Sequence, residues 1–219
     1  QVKHYRACAT SAMREATNGQ QVADEIYKRT GVRIDIIDGS EEANIIASTD
    51  ISNLIQKDKN YLYIDVGGGS TEFTVFTKGK AKKARSFPIG TVRLLDNKVN
   101  DEIWQEVQHW IEKHTRDCEH IEAIGSGGNI NKIHKNSNSR EGEPLTYQYL
   151  IDYYQYVSGF TYDERIRLLG FNPDRADVIL YALTVFINAM KWSKASIVHV
   201  PRIGLADGII RTIYNNENQ

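Results

Sequence analysis

Residues 65–72 read DVGGGSTE, so two carboxylates bracket three glycines, a serine and a threonine. Glycine tolerates positive φ and lets other groups approach the backbone closely. Successive N–H groups turned inward form an anion-binding concavity, and Ser70 and Thr71 add hydroxyl donors. That combination suits a phosphate, each of whose oxygens wants a donor. A carboxylate beside a phosphate is repulsive unless a cation stands between them. Mg²⁺ is the natural bridge, held by one or two carboxylates together with phosphate oxygens and water. Asp65 and Glu72 are therefore the candidate metal-holding pair, and Gly67, Gly68, Gly69 and Ser70 the candidate phosphate loop. The plain alternative is a flexible hairpin loop, with Asp65 as turn punctuation and Glu72 on a solvent-facing strand. The loop is not a Walker A, because no Gly-Lys-Ser/Thr follows.

The elements around the loop change period along the chain. YLYIDV before it is a strand, TEFTVFTKG after it alternates as a second, and AKKARSFPIG is a third beyond a tight turn at Lys78-Gly79-Lys80. A helix follows from about Asn100, with Ile103, Val107, Trp110, Ile111 and His114 on one face. IEAIGSGG (Ile121 to Gly128) is a strand running into a second glycine loop. Asn172-Pro173 opens a long helix with proline in its first turn; ASIVHV (Ala195 to Val200) is a last strand, and a helix follows Gly204. The order β-β-β-α-β-α-α-β-α predicts an α/β sheet of the ribonuclease H-like kind. Actin-like phosphotransferases and phosphohydrolases use two such units facing a cleft, an analogy of fold alone.

The chain before this region is predicted to be the remainder of a first actin-like domain, residues 1–57, with residues 58–219 forming a complete second one. Tyr5 to Thr10, short and mixed, reads as a strand. Asn18 with Gln21 makes a weak capping box for a helix that stops at Gly31. RIDIIDG (Arg33 to Gly39) reads as a buried strand. SEEANIIASTDISNLI reads as a helix with Ser40 as N-cap and Glu41 and Glu42 in its first turn, where acidic groups favour the positive end of the helix dipole. QKDKN (Gln56 to Asn60) is the link between domains, and the last helix is expected to pack back on the first.

The 219 residues carry a formal net charge of -1 and two cysteines, Cys8 and Cys118. That balance gives no global pull toward nucleic acid or an anionic membrane. The cysteines lack metal-like or redox spacing, so a reducing, cytoplasmic setting is the default. No stretch reaches membrane-span length, and the longest candidate is VILYALTVFINAM (Val178 to Met190). The basic stretch KGKAKKAR (Lys78 to Arg85) fits either a guide for a long polyanion or a solvated hairpin face.

ATSAMREA (Ala9 to Ala16), DGSEEANII (Asp38 to Ile46), YIDVGGGSTEF, FPIGTVRL (Phe87 to Leu94), IGSGGN and RADVIL (Arg175 to Leu180) follow one another as in the exopolyphosphatase / guanosine pentaphosphate phosphohydrolase (Ppx/GppA) family, which this chain resembles over most of its length. The resemblance implies two actin-like domains and Mg²⁺-dependent removal of a terminal phosphoryl group by water. The substrate implied is inorganic polyphosphate or guanosine pentaphosphate. It also implies a homodimer as the default assembly. Carried onto this chain, it makes Glu42 the general base for the attacking water and Arg14 and Arg175 phosphate-gripping residues. It assigns Asp65 and Glu72 to the metal, and Gly67, Gly68, Gly69 and Ser70 to the phosphate loop. Each residue also has a plainer role open to it: Arg14 as a cap of its own helix, Glu42 as a dipole residue like Glu41, Arg175 as a partner of Asp174 or Asp177.

Family members begin with a further strand-hairpin-strand unit whose loop reads Asp-x-Gly-Ser-Asn-Ser, a pattern not found in these residues. The chain by itself is therefore expected to be weakly active or inactive, with exposed sheet edges favouring self-association. Two other readings stay open. One is an ATP-dependent kinase of the same superfold, with an adenosine pocket at Gly125 to Asn129. The other is a non-catalytic domain that binds polyphosphate or the alarmone.

Overall fold

A computed structural model describes residues 2–47, 54–201 and 204–217. The chain divides into two compact units, Gln1–Leu54 with Ile203–Gln219, and Ile55–Arg202.

The first unit holds strands β1 (Ala7–Ala9) and β2 (Ile34–Ile36), which pair in parallel with Ala7 opposite Ile34. Helices α1 (Ser11–Glu15) and α2 (Gly19–Thr30) connect them. The expected capping box at Asn18 is not formed: its side chain makes no cap bond. Gly31 does end α2, in the left-handed region at φ 74°, where glycine avoids the Cβ penalty. The expected buried strand is shorter than RIDIIDG and only half-buried, with Ile37 just beyond it fully buried. Helix α3 (Gly39–Ala47) follows. The Ser40 side chain, read as its N-cap, lies outside what is described, as do residues 48–53 of the longer helix expected there. The observed cap bond comes from Asp38, whose Oδ1 accepts the Glu41 N–H at 2.7 Å. Further along the chain, Gly208 lets its helix approach α3 closely, since a Cβ there would lie 2.3 Å from the Ile45 carbonyl oxygen.

The second unit is built on a six-stranded sheet in the order β5-β4-β3-β6-β8-β7. Strands β3 (Asn60–Val66), β4 (Thr71–Thr77) and β5 (Lys80–Phe87) form the antiparallel meander expected from their alternation. The turn between β4 and β5 puts Lys78 at φ 52° and Gly79 at φ 76°; two successive positive-φ residues match the twist of the flanking strands. β6 (Ile121–Ser126) runs parallel to β3, and β8 (Ile197–His199) parallel to β6. β7 (Leu145–Thr146), too short to show a period in sequence, closes the far edge antiparallel to β8.

One face of this sheet carries the apolar core. Leu62, Ile64, Val66, Phe73 and Val75 belong to one buried cluster with Val107, Trp110 and Ile111 of helix α5 (Asp101–Thr115). Phe73, Phe87 and Trp110 meet in a ring cluster with centroids 5.9–6.4 Å apart, which adds edge-to-face attraction to area burial. A short helix α4 (Thr91–Leu95), not foreseen from sequence, precedes α5. Asn100 caps α5 by accepting the Ile103 N–H at 3.0 Å.

Helices α6 (Gly128–Lys135), α7 (Tyr147–Ser158) and α8 (Tyr162–Arg167) follow β6 in sequence. The single long helix expected from Pro173 is instead two: α9 (Pro173–Ala176) and α10 (Ile179–Ser193), separated at Asp177-Val178. Helix α10 is buried along most of its length, which explains the long apolar run. Helix α11 (Leu205–Glu217) ends the described chain and belongs to the first unit. No helix among the described residues is long and apolar enough to cross a membrane.

Candidate functional site

Strand alternation puts Tyr61, Tyr63 and Asp65 on the face opposite the core. Register then lines up a polar row across four strands: Ser126 of β6 pairs with Asp65 of β3, Asp65 with Glu72 of β4, and Glu72 with Ser86 of β5. Cross-strand partners share a face and lie within side-chain reach. The two carboxylates that bracket the glycines are thus neighbours.

Glu72 is buried, at 3% exposure. Its Oε1 accepts hydroxyl bonds from Ser70 at 2.6 Å and Ser86 at 2.8 Å. Burial pushes the Asp65 carboxyl up to about 6, and the charge of Glu72 pushes the same way. Hydrogen bonds from Tyr63 and Ser126 pull against this without reversing it; the Tyr63 hydroxyl donates to Asp65 Oδ2 at 3.4 Å. Among the described residues no Lys, Arg or His nitrogen forms an ion pair with either carboxylate, and no third His, Cys, Asp or Glu joins them as a cluster that could hold a metal. A pair of like charges with no protein cation between them fits a hard divalent ion, which takes one or two carboxylates and completes its shell with phosphate and water.

The glycine loop works differently from the sequence expectation. Gly67, Gly68 and Gly69 are not among the positive-φ residues. Close approach is required at Gly90 instead: a Cβ there would lie 2.2 Å from the Gly68 carbonyl oxygen, so a strap at the start of α4 passes directly over the loop. The strap takes up the loop's carbonyls. Thr91 N–H donates to Gly67 O at 3.0 Å, Val92 N–H to Gly68 O at 2.9 Å, and Arg93 Nε to Gly69 O at 2.7 Å. Among the described residues, the N–H groups of Gly68, Gly69 and Ser70 reach no protein acceptor.

The second glycine loop adjoins the acidic pair. Gly127 sits at φ 105°, and a Cβ there would meet Val66 O at 2.9 Å and Asp65 Oδ1 at 3.4 Å. A Cβ on Gly128 would fall 2.4 Å from both terminal nitrogens of Arg175. The Arg175 guanidinium therefore lies against bare backbone at the start of α6. It forms no ion pair with Asp174 or Asp177, so the plainer role for this residue is not the one observed.

In the first unit, Arg14 and Glu42 are brought together. Arg14 Nη1 lies 3.6 Å from Glu42 Oε2 and donates to the Ile37 carbonyl at 2.7 Å, so Arg14 does not cap its own helix. The two adjacent glutamates are sorted by their cations. Glu41 is held by Arg6 at 2.6 Å, and Arg6 also holds Asp35 at 2.9 Å. Glu42 is buried at 7% exposure and faces Arg14.

Sequence reasoning missed Arg93, Ser126, Ser86 and Tyr63. The last three could be read from period-two alternation once the strands are paired. Arg93 depends on a strap that returns to the loop 24 residues on, and no local pattern announces that.

Comparison with known proteins bears on the family and the fold. A model of the "Ppx/GppA phosphatase family" matches residues 1–217. A bifunctional 3-dehydroquinate synthase/phosphatase of Fusobacterium nucleatum is 32% identical over 125 residues, covering 53% of this chain and 19% of that protein. A guanosine-5'-triphosphate,3'-diphosphate pyrophosphatase of Aeromonas hydrophila is 34% identical over 96 residues, 44% of this chain and 19% of the other. The chain thus spans about a fifth of the length of these relatives. In fold, it superposes on an exopolyphosphatase from Cytophaga hutchinsonii with a TM-score of 0.83 at 23% identity, covering 98% of this chain and 76% of that one.

Proposed function

The chain belongs to the Ppx/GppA phosphatase family, and from that premise we propose that it supplies the phosphate-gripping and water-activating residues of a phosphoanhydride hydrolase. Its substrate class is an inorganic polyphosphate or guanosine pentaphosphate, the compounds in its relatives' names. The observation that carries this reading is the Ser126–Asp65–Glu72–Ser86 row beside a loop with three unengaged amides. It gathers negative charge and anion donors in one place, an arrangement that a metal-bound phosphate reconciles.

Asp65 and Glu72 would hold Mg²⁺, which when bound neutralises charge on phosphoryl oxygens. The rest of the chemistry is positioning and charge neutralisation, as phosphoryl transfer demands. The amides of Gly68, Gly69 and Ser70 bind phosphate oxygens, and Arg175 and Arg14 supply planar, bidentate forks suited to them. Glu42 accepts a proton from water as the water oxygen bonds to phosphorus and the P–O bond to the remaining chain breaks.

Calorimetry with tripolyphosphate and Mg²⁺, paired with a phosphate-release assay, tests this. Glu42→Gln should bind tripolyphosphate within about threefold of the native chain. It should release phosphate roughly 100-fold more slowly or worse, the scale of losing a general base. Equal release by the two proteins, or no binding by either with Mg²⁺ present, would overturn the reading.

A further inference from the structure

Three of the peptide planes in the glycine loop are pinned through their carbonyls, and in a planar trans peptide the C=O and the following N–H point in opposite directions. Fixing the Gly67 carbonyl therefore aims the Gly68 amide away from the strap, and fixing the Gly68 carbonyl aims that of Gly69. These two pins are backbone N–H groups, from Thr91 and Val92. No substitution short of proline can remove them. The third peptide, Gly69–Ser70, is pinned by the Arg93 side chain, whose Nε donates to the Gly69 carbonyl at 2.7 Å.

We infer that Arg93 is a positioning residue: by holding the Gly69 carbonyl it turns the Ser70 N–H outward as the third donor of the phosphate cup. The inference rests on the phosphate-loop reading above and assigns Arg93 a role that does not require contact with the phosphate. Its neighbourhood supports a built device. Gly90, next in the strap, cannot carry a side chain without colliding with the loop. Thr71 Oγ1 donates to the Ile89 carbonyl, so with the Thr91 and Val92 bonds the strap is fastened to the loop at three residues ahead of the arginine. Ser70, whose amide is at stake, is itself buried with its hydroxyl committed to Glu72. The same residue thus links the anion cup to the acidic pair, and its orientation bears on both.

The test is amide NMR of the native chain and of Arg93→Ala, each titrated with tripolyphosphate, with the binding constant read from the same titration. In the native chain the signals of Gly68, Gly69 and Ser70 should all move with ligand. In Arg93→Ala those of Gly68 and Gly69 should still move while that of Ser70 stays near its free position. Affinity should fall about tenfold, the scale of one hydrogen bond to a charged group. Millimolar guanidinium should restore part of the Ser70 response, which a collapsed loop would not allow. If Ser70 responds in Arg93→Ala as it does in the native chain, Arg93 is not the pin and the inference falls while the cup stands. If none of the three amides responds in the native chain, the cup reading and this inference fall together.

Discussion

Asp65 and Glu122 lie on the same face of the same parallel strand pair, near opposite ends of it, and their surroundings differ in sign. Glu122 is answered on both oxygens: Lys59 Nζ reaches Oε1 at 2.7 Å and His199 Nε2 reaches Oε2 at 2.7 Å. Burial pushes its carboxyl up, but those two partners outweigh burial and hold it below the usual range. Asp65 has another carboxylate as its cross-strand neighbour, and its carboxyl is pushed up to about 6. One end of the sheet is electrostatically settled, while the other keeps an unresolved pair of charges. Perturbed groups gather where ligands act, and here the contrast is internal to one sheet. Cavity size points the other way. A cavity of about 900 Å³ opens near the settled end, with Glu122, Arg116, Lys191 and Trp192 in its lining, and it includes none of the acidic-pair residues. Volume and charge balance thus point to opposite ends of the sheet.

The comparison breaks first on pH. In metal-free protein, with chelator present, Asp65 is protonated in both folded and unfolded chains well below pH 4 and contributes nothing. Its folded value of about 6 lies above the ordinary 3.8, so between those limits the folded chain binds more protons and stability falls as pH rises. Above pH 6 the cost is complete, at roughly 3 kcal/mol. Denaturant unfolding from pH 4 to 7.5 should show this decline, and Asp65→Asn should remove most of it and be the more stable protein at pH 7.5. A native chain whose stability rises steadily over that window would show that Asp65 is already compensated.

Mg²⁺ sharpens the same contrast. If Asp65 and Glu72 hold the ion, ten-millimolar Mg²⁺ should stabilise the native chain at pH 7.5 by about 1–2 kcal/mol, the linkage expected when ligand exceeds its dissociation constant by tenfold or somewhat more. The gain should shrink at pH 4.5, where Asp65 is protonated, and vanish in Asp65→Asn. A gain of the same size in Asp65→Asn would place the ion elsewhere.

Much of this was legible in the sequence, because strands with alternating side chains expose both their period and their face. The meander, its tight turn at Lys78-Gly79 and the core face of α5 all followed from periodicity. Asp65 and Glu72 were nominated from their places around the glycines. What stayed hidden depends on non-local return of the chain. The loop glycines do not adopt left-handed backbone, and the residue that must be glycine for the strap to approach is Gly90, which is visible only once residues 87–93 are folded over the loop. The break at Asp177-Val178 was masked by an apolar run that suits one long helix as well as two. The choice of Glu42 over Glu41 came from the family resemblance. What the structure shows to differ between the two, Arg6 engaging Glu41 and Arg14 approaching Glu42, lies in partners more than 25 residues away in sequence.

The smallest expected effect belongs to the settled end, and its sign is the opposite one. Glu122 has a lowered carboxyl, so its stabilisation is present above the ordinary carboxylate range and is lost as pH falls through the folded value. Glu122→Gln should cost about 1 kcal/mol at pH 7.5, because a neutral amide replaces two charge-assisted bonds with weaker ones at a partly exposed site. Asp65→Asn, by contrast, should gain stability under the same conditions. The Mg²⁺ response of Glu122→Gln should match that of the native chain, since no residue of the acidic row touches it. Thermal melts of the two variants side by side, with and without Mg²⁺, decide the matter. Equal signs, or a Mg²⁺ response lost in Glu122→Gln, would mean that the two ends of the sheet are not electrostatically separate and that the distinction between a settled and an unsettled carboxylate does not mark the site.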